Sequence, residues 1–308
     1  MHDLIIIGGG PAGIAAGVYA SRKRLKTVVL AEEVGGQSTV SEGIENWIGT
    51  VSIRGSELAK SLRTHLEAYK GDVLTLEEGE RVERLEKAEG GFTATTAKGR
   101  TFTARAVLIA SGAGRRKLDV PGADLFEHKG VTYCASCDGP IFAGQDVAVI
   151  GGGNAGFESA AQLLAYAKSV TLIHRRSTFK ADAITVQKVL AHEHVSVLTD
   201  TEPIEVKGDK FTSGLVVRDI KTGEEKELPV TGIFVEVGVI PNTHFAKELV
   251  QLDEVGRVVT DPKNQHTSVD GVWAAGDCTD ELYHQNNIAA GDAVKALEDI
   301  YQWLMAHS

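Results

Sequence analysis

Cys134 and Cys137 stand two residues apart in Tyr133-Cys134-Ala135-Ser136-Cys137-Asp138-Gly139-Pro140. Two thiols at that spacing can close a small disulfide ring, and the Cys-x-x-Cys arrangement favours a nucleophilic thiolate. Asp138 follows the second sulfur directly, where a carboxyl can shuttle the proton that a departing thiolate needs. Gly139-Pro140 should interrupt a helix at once, unlike a thioredoxin-type motif that opens a long one. The competing use of such a pair is half of a zinc site. Zinc takes about four ligands, and the remaining cysteine, Cys278, stands alone far downstream. No metal is expected, and Cys278 reads as a packed thiol.

A disulfide needs an electron source, and a phosphate-cradling loop lies on each side of it. Leu4–Ile7 is a β run that leads into Gly8-Gly9-Gly10-Pro11-Ala12-Gly13 and then into a helix predicted over Ile14–Arg22. This is the strand, turn and helix context that a G-x-G-x-x-G match requires. Gly8 makes the turn, Gly10 admits a pyrophosphate to the backbone, and Gly13 lets helix and strand pack closely. The helix N-terminus then faces the anion. Asp146–Ile150, Gly151-Gly152-Gly153-Asn154-Ala155-Gly156 and a helix predicted over Phe157–Ala167 repeat the pattern.

The two repeats differ in charge at one registered position. Twenty-four residues after Gly8 stands Glu32, and twenty-four after Gly151 stands Arg175. A carboxylate there accepts ribose hydroxyls and repels a 2′-phosphate, whereas guanidinium groups answer one. With His174, Arg176 and Lys180 around Arg175, the first site suits FAD and the second NADPH rather than NADH. Gly36 and Gln37 lie in a loop built for close backbone approach, Ser111-Gly112 and Gly276-Asp277 follow buried strands, and Glu45-Asn46-Trp47 can pack over a bound ring system, which makes all of them candidate cofactor contacts. Trp47 is either a cover for a bound ring or a rim aromatic.

Elsewhere the periodicity predicts helices over Gly55–Tyr69, Ala183–His194 and about Asn287–Leu304, and a strand over Gly232–Gly238. Length bounds the chain to about two domains. The balance of 32 basic and 42 acidic residues, formally −10, argues against nucleic acid or an anionic membrane as the main partner. The opening Met1-His2-Asp3 lacks the basic stretch of a signal peptide. Three cysteines suit a reducing compartment, so a soluble cytoplasmic protein is expected.

Taken together, Gly8–Gly13, Gly35-Gly36-Gln37, Glu45-Asn46-Trp47, Ser111-Gly112, Cys134–Gly139, Gly151–Gly156, His174-Arg175-Arg176 and Gly276-Asp277 resemble the low-molecular-weight, bacterial-type thioredoxin reductases, in the same order and over nearly the whole chain. The resemblance implies an α/β fold of two Rossmann-like dinucleotide-binding domains (three-layer ββα), the second inserted into the first. FAD would occupy 1–115 and 242–308, and NADPH 116–241. Cys137 would face the flavin, Cys134 would perform interchange with thioredoxin or a thioredoxin-like redoxin, and Asp138 would be the acid/base. A homodimer is implied. So is a domain rotation about Gly114–Lys117 and Gly238–Asn242. The chain departs from the family at Ala31, where an acid is common, at Lys180, where arginine is usual, and at His284-Gln285-Asn286, which replaces Arg-Gln-Ala; Gln285 and Asn286 remain the expected flavin contacts there. The lead-in and exit of the Cys motif are also similar to the flavoprotein core of alkyl hydroperoxide reductase. That protein has an extra N-terminal redox domain, so a separate protein partner is expected here. Two other readings stay open: reduction of another redoxin or peroxiredoxin component, and a ferredoxin- or flavodoxin-type electron transferase, which would not need the Cys pair.

Overall fold

Leu4, Ile5, Ile6 and Ile7 form a continuous apolar run, the signature of a strand covered on both faces. In the computed structural model, which describes residues 1–41 and 44–307, they lie in β1 (His2–Ile7). A glycine turn leads to α1 (Pro11–Arg22), β2 (Thr27–Ala31), a 3-10 turn at Gly36–Val40 and α2 (Gly55–Lys70). Then come β3 (Leu74–Glu78), β4 (Val82–Ala88), β5 (Gly91–Thr96), β6 (Thr101–Ile109) and β7 (Ala113–Arg115).

The middle of the chain contributes β8 (Val131–Thr132), α3 (Ala135–Asp138), β9 (Asp146–Ile150), α4 (Asn154–Leu163), β10 (Ser169–Ile173), α5 (Ala183–Leu190) and β11 (Val195–Leu198). It continues through β12 (Thr201–Gly208), β13 (Thr212–Asp219), β14 (Glu225–Leu228), β15 (Gly232–Val235) and β16 (Val239–Pro241). The last elements are β17 (Val272–Ala274) and α6 (Asn286–Ala306).

These elements form two units, 1–114 with 240–308, and 115–239. The chain crosses between them through β7 and β16, which pair with each other. In the first unit the sheet runs β3-β2-β1-β6-β5-β4, with β17 on β6. Alternation along β1 divides its core: Leu4 and Ile6 pack with Trp273, Ala293 and Leu297, while Ile5 and Ile7 pack with Val107, Ile109 and Val272. In the second unit the sheet is β11-β10-β9-β15-β8, all parallel, beside an antiparallel β12-β13-β14. The α/β class and both strand–turn–helix repeats are as the sequence implies. Among the described residues no helix is long and apolar enough to cross a membrane.

Several element ends differ from the periodicity. α1 begins at Pro11 rather than Ile14, because proline at the first helical position has its φ preset and lacks only an N–H that would be orphaned anyway. α4 likewise starts at Asn154 and stops at Leu163, four residues short of Ala167. α5 stops at Leu190, just past its last buried residue, Val189, and the exposed Ala191-His192-Glu193-His194 that follows has no core contact to extend it. β15 ends at Val235 because its partner β9 ends at Ile150.

The helix seats are tight. A Cβ on Gly13 would lie 2.0 Å from the Gly8 carbonyl oxygen, whereas one on Gly291 in α6 would meet nothing within 4 Å. Gly13→Ala should therefore lower thermal and urea stability by about 1–3 kcal/mol or more. Gly291→Ala should raise it by about 0.5–1 kcal/mol. Equal effects from the two substitutions would contradict the packing of this turn.

Candidate active site

The redox pair sits at the C-terminal end of the shortest strand of the second sheet. β8 has two residues, held by Val131 and Thr132 in register with Ile233 and Phe234. Tyr133 follows, then Cys134 as the N-cap of the one-turn helix α3. Positions three apart share a helix face, and Cys134 and Cys137 are joined as a disulfide with their Cα atoms 5.3 Å apart. Both are half-buried. Gly139-Pro140 ends the α-helix at Asp138, as the sequence implies, and the backbone tightens into a 3-10 turn over Gly139–Phe142. Ser136 Oγ donates to Gln162 Oε1 at 3.0 Å, which ties the redox turn to α4. Thr132 Oγ1 donates to Asp138 Oδ2, and the Asp138 N–H donates to the Cys134 carbonyl at 3.0 Å. One short segment thus holds two sulfurs, an oriented carboxyl and its orienting hydroxyl, enough for thiol–disulfide exchange with local proton transfer.

In the first unit, Gly8, Gly10, Pro11 and Ala12 of the turn line a cavity of about 280 Å³ together with Glu32, Gly36 and Gln37. Ser111 and Gly112 after β6, Gly276 and Asp277 after β17, and Asn286 at the start of α6 complete it. Gln37 Nε2 donates to the Ala113 carbonyl. A further cavity of about 650 Å³ shares Gly8, Glu32, Ser111 and Asn242 with the first. Gly13 is absent from the walls; it seats α1 on the turn. Asn46 and Gln285 are also absent, and Asn46 Nδ2 donates to Gln285 Oε1 at 2.9 Å. The sequence reasoning missed Ser38, whose Oγ donates to Asn286 Oδ1 at 2.8 Å. It also took Asn242 only as part of a hinge. Asn242 Nδ2 donates to the Ser111 carbonyl at 3.1 Å and lines the cavity.

These residues fit a dinucleotide. Gly8 has φ +123°, and a Cβ there would fall 2.0 Å from the Ala110 oxygen, so only glycine closes the turn. A Cβ on Gly10 would meet nothing nearer than Gly36 Cα at 3.9 Å, leaving the space a phosphate would use. No side chain caps α1, so its first N–H groups are available to an anion. Ser111 Oγ is buried beside the Cys278 thiol at the cavity wall.

The second unit repeats the cradle. Gly151 has φ +137°, and a Cβ on it would lie 2.1 Å from the Glu236 carbonyl oxygen. A Cβ on Gly156 would lie 2.0 Å from the Gly151 oxygen, while one on Gly153 would meet nothing within 4 Å. α4 also lacks a side-chain cap. The ring of His174 covers Gly152, and its Nε2 lies 3.0 Å from the Thr178 carbonyl. The Lys180 N–H donates to the Gly152 carbonyl at 3.1 Å. Asn154 Oδ1 accepts from the Asp182 N–H at 2.8 Å, so this side chain links the starts of α4 and α5. Arg175 and Arg176 are exposed, and among the described residues neither guanidinium has an ion-pair partner.

This architecture defines a flavin- and nicotinamide-dependent class of disulfide enzyme. The family model "Pyridine nucleotide-disulphide oxidoreductase" matches residues 2–294, and the chain belongs to that family, whose members use FAD together with a pyridine nucleotide. It is 36% identical to a thioredoxin reductase from Giardia duodenalis, with TM-score 0.89 and 99% of each chain covered. It is 33% identical to a thioredoxin reductase from Streptococcus pyogenes, with TM-score 0.88 and 99% of each chain covered. An alkyl hydroperoxide reductase component of Staphylococcus aureus is 38% identical over 304 residues, 99% of this chain and 59% of that protein. A Bacillus subtilis protein named NADH dehydrogenase is 38% identical over 303 residues, 98% of this chain and 58% of that protein. The chain thus spans about three-fifths of the length of the curated relatives it matches.

Cys278, beside Asp277, does not line the cleft. It is fully buried, with the Ile109 and Ala275 carbonyls 3.5 and 3.4 Å from its sulfur. Burial pushes its thiol up from 9.0 to about 11. The oxidised native protein should therefore show no free thiol to a disulfide reagent, and one after unfolding. Because the folded pKa is raised, its contribution is complete below about pH 9 and lost as pH rises toward 11. A rise of that size corresponds to about 2–3 kcal/mol. Urea unfolding of Cys278→Ala should lack that part of the alkaline decline, and a variant with the same decline would refute the assignment.

Proposed function

We propose that the chain carries electrons from NADPH through FAD to the Cys134–Cys137 disulfide, and from there to the disulfide of thioredoxin or a thioredoxin-like redoxin. The observation that carries this reading is the closed disulfide in a one-turn helix, with Asp138 oriented by Thr132. The two uncapped glycine cradles supply places for the electron source. Residues 1–115 and 242–308 bind FAD and 116–241 bind NADPH. Glu32 faces the flavin nucleotide's ribose, and Arg175 and Arg176, with His174 and Lys180, face a 2′-phosphate.

When bound, the two cofactors supply hydride transfer and a two-electron reduction of the disulfide. The chain's own residues do the rest. Cys137 is the sulfur nearer the flavin. Cys134, as thiolate, attacks a sulfur of the partner's disulfide, forming a mixed disulfide and expelling one partner thiolate. Cys137 then attacks Cys134 Sγ, closing the internal disulfide and releasing the second thiolate, while Asp138 takes the Cys137 proton and returns it to a leaving sulfur. Thr132 keeps the carboxyl at that turn. Both the disulfide and the nicotinamide must in turn reach the flavin, so turnover uses a rotation about residues 114–117 and 238–242. The working form is a cytoplasmic homodimer. The 38% identity to an alkyl hydroperoxide reductase component favours a second acceptor, a redoxin that feeds a peroxidase. An electron transferase for ferredoxin or flavodoxin leaves the Cys pair without a role.

Anaerobic NADPH titration of the flavin-loaded protein tests this. Flavin plus disulfide should consume about two equivalents per chain, and Cys134→Ser/Cys137→Ser about one. A one-equivalent endpoint in the native protein would end the disulfide-reductase reading. Asp138→Asn keeps the size of the side chain and loses its proton exchange. It should hold flavin normally and turn over a thioredoxin substrate about 10²–10⁴-fold more slowly. Native turnover would remove Asp138 from the mechanism.

A further inference from the structure

Glu236 is a buried carboxyl for which the redox chemistry above has no use. It follows β15 directly: its N–H donates to the Ile150 carbonyl at 2.8 Å, and its own carbonyl lies against Gly151. Its side chain is 10% exposed. Ser159 Oγ, on α4, donates to Oε1 at 2.7 Å. Arg115 Nη1 stands 3.9 Å from Oε2, beyond hydrogen-bond length, so that oxygen keeps accepting capacity. Burial raises the carboxyl's pKa, and the Ser159 hydrogen bond and Arg115 offset this only in part, with Glu158 adding to the rise. A partly satisfied buried carboxyl is costly to keep. A ligand donor at Oε2 would relieve that cost.

The strand order says which ligand part can supply it. Along the row β10-β9-β15-β8, the C-terminal ends carry in turn His174-Arg175-Arg176, the Gly151–Gly156 turn, Glu236, and the lead to Cys134. From β9 the chain passes through α4 to β10 on one side, whereas β15 joins β9 on the other. The crevice between β9 and β15 is therefore the topological switch point where such sheets take their ligands. A dinucleotide with its pyrophosphate at α4 and its 2′-phosphoadenosine on the β10 arginines must extend its other half over β15, about 5 Å further along the sheet.

We infer that Glu236 accepts hydrogen bonds from the nicotinamide riboside half of the pyridine nucleotide, through its ribose hydroxyls or its carboxamide N–H, with Ser159 fixing the carboxyl for that contact. The inference rests on the NADPH reading and adds to it the residue that grips the reactive end of the cofactor. Direct electrostatic competitors are few: the groups facing Glu236 are Ser159 and Glu158 from α4 and Arg115 from β7.

Calorimetric binding to the flavin-loaded oxidised protein tests it without turnover. NADP⁺ is compared with 2′,5′-ADP, which lacks the nicotinamide riboside. The native protein should bind both. Glu236→Ala should weaken NADP⁺ about tenfold or more and leave 2′,5′-ADP within about twofold. Glu236→Gln, which keeps an acceptor oxygen, should recover most of the loss. Arg175→Ala/Arg176→Ala should weaken both ligands alike. The 3-acetylpyridine analogue of NADP⁺ assigns the donor. If it binds the native protein as weakly as NADP⁺ binds Glu236→Ala, the donor is the carboxamide; native-like affinity assigns the ribose hydroxyls. Should the alanine variant not retain flavin, Glu236→Asp, which withdraws the charge by one methylene, should give the same selective loss. Unchanged NADP⁺ affinity, or equal loss of both ligands, would overturn the role of Glu236. Binding of neither ligand by the native protein would instead overturn the NADPH reading.

Discussion

The arrangement depends on one close contact made twice: a helix seated on the end of a strand at a distance that only a hydrogen atom permits. Gly13 against the Gly8 oxygen and Gly156 against the Gly151 oxygen would each clash at 2.0 Å with any Cβ. That seating aims the first N–H groups of α1 and α4 at open space, with Gly10 and Gly153 clearing the approach. A phosphate there meets oriented donors that need no reorganisation. Had either helix begun with a serine or aspartate cap, the donors would already be satisfied and the cradle closed.

The disulfide is placed by the same sheet logic with far fewer contacts. β8 is only two residues long and pairs with β15, with one isolated bridge from Val131 to Glu127 on its other side. Its hold on Cys134 comes from Thr132, from the Ser136–Gln162 bond to α4, and from Phe142 packing on Phe234 at a ring-centroid distance of 5.3 Å. A half-buried sulfur pair in a short, lightly anchored turn suits exchange with another protein. Cys278, sealed behind β6 and β17, shows the contrast: the same atom type made inert by burial.

Much of this was legible in the sequence because the relevant physics is local. The glycine turns, the two buried strands before them and the Cys pair depend on residues a few positions apart, and the charge contrast between Glu32 and Arg175 on one fixed spacing within each strand–turn–helix repeat. Gly13, Asn46 and Gln285 belonged to the right loops, yet none lines the cavity, because a loop motif does not say which of its residues face inward. Neither Ser38 and Asn242 as cavity residues nor Glu236 as the proposed nicotinamide-side acceptor was legible. Each acquires its position only through a partner far along the chain: Asn286, Ser111 and Gly151 respectively. Helix ends were misjudged for a similar reason. α5 stops where its buried stripe runs out after Val189, and β15 where β9 no longer offers a partner.

Two copies of one fold in a single chain raise the question of what keeps their ligands apart, since both cradles recognise a pyrophosphate by backbone alone. The discrimination must come from the strand ends. The end of β2 carries the exposed carboxylates Glu32 and Glu33; the end of β10 carries two guanidinium groups with no protein counter-ion among the described residues. A 2′-phosphate carries close to two negative charges at neutral pH, so it would be repelled beside the first pair and attracted beside the second. The acid placed deeper in the second unit, Glu236, does not undo this. It is shielded by Ser159 and Arg115 and lies two strands from Arg175 in the row, on the far side of the pyrophosphate turn. Charge therefore runs from positive to negative along one sheet edge, which on the proposed assignment would orient a dinucleotide with its uncharged end toward the strand that carries Cys134.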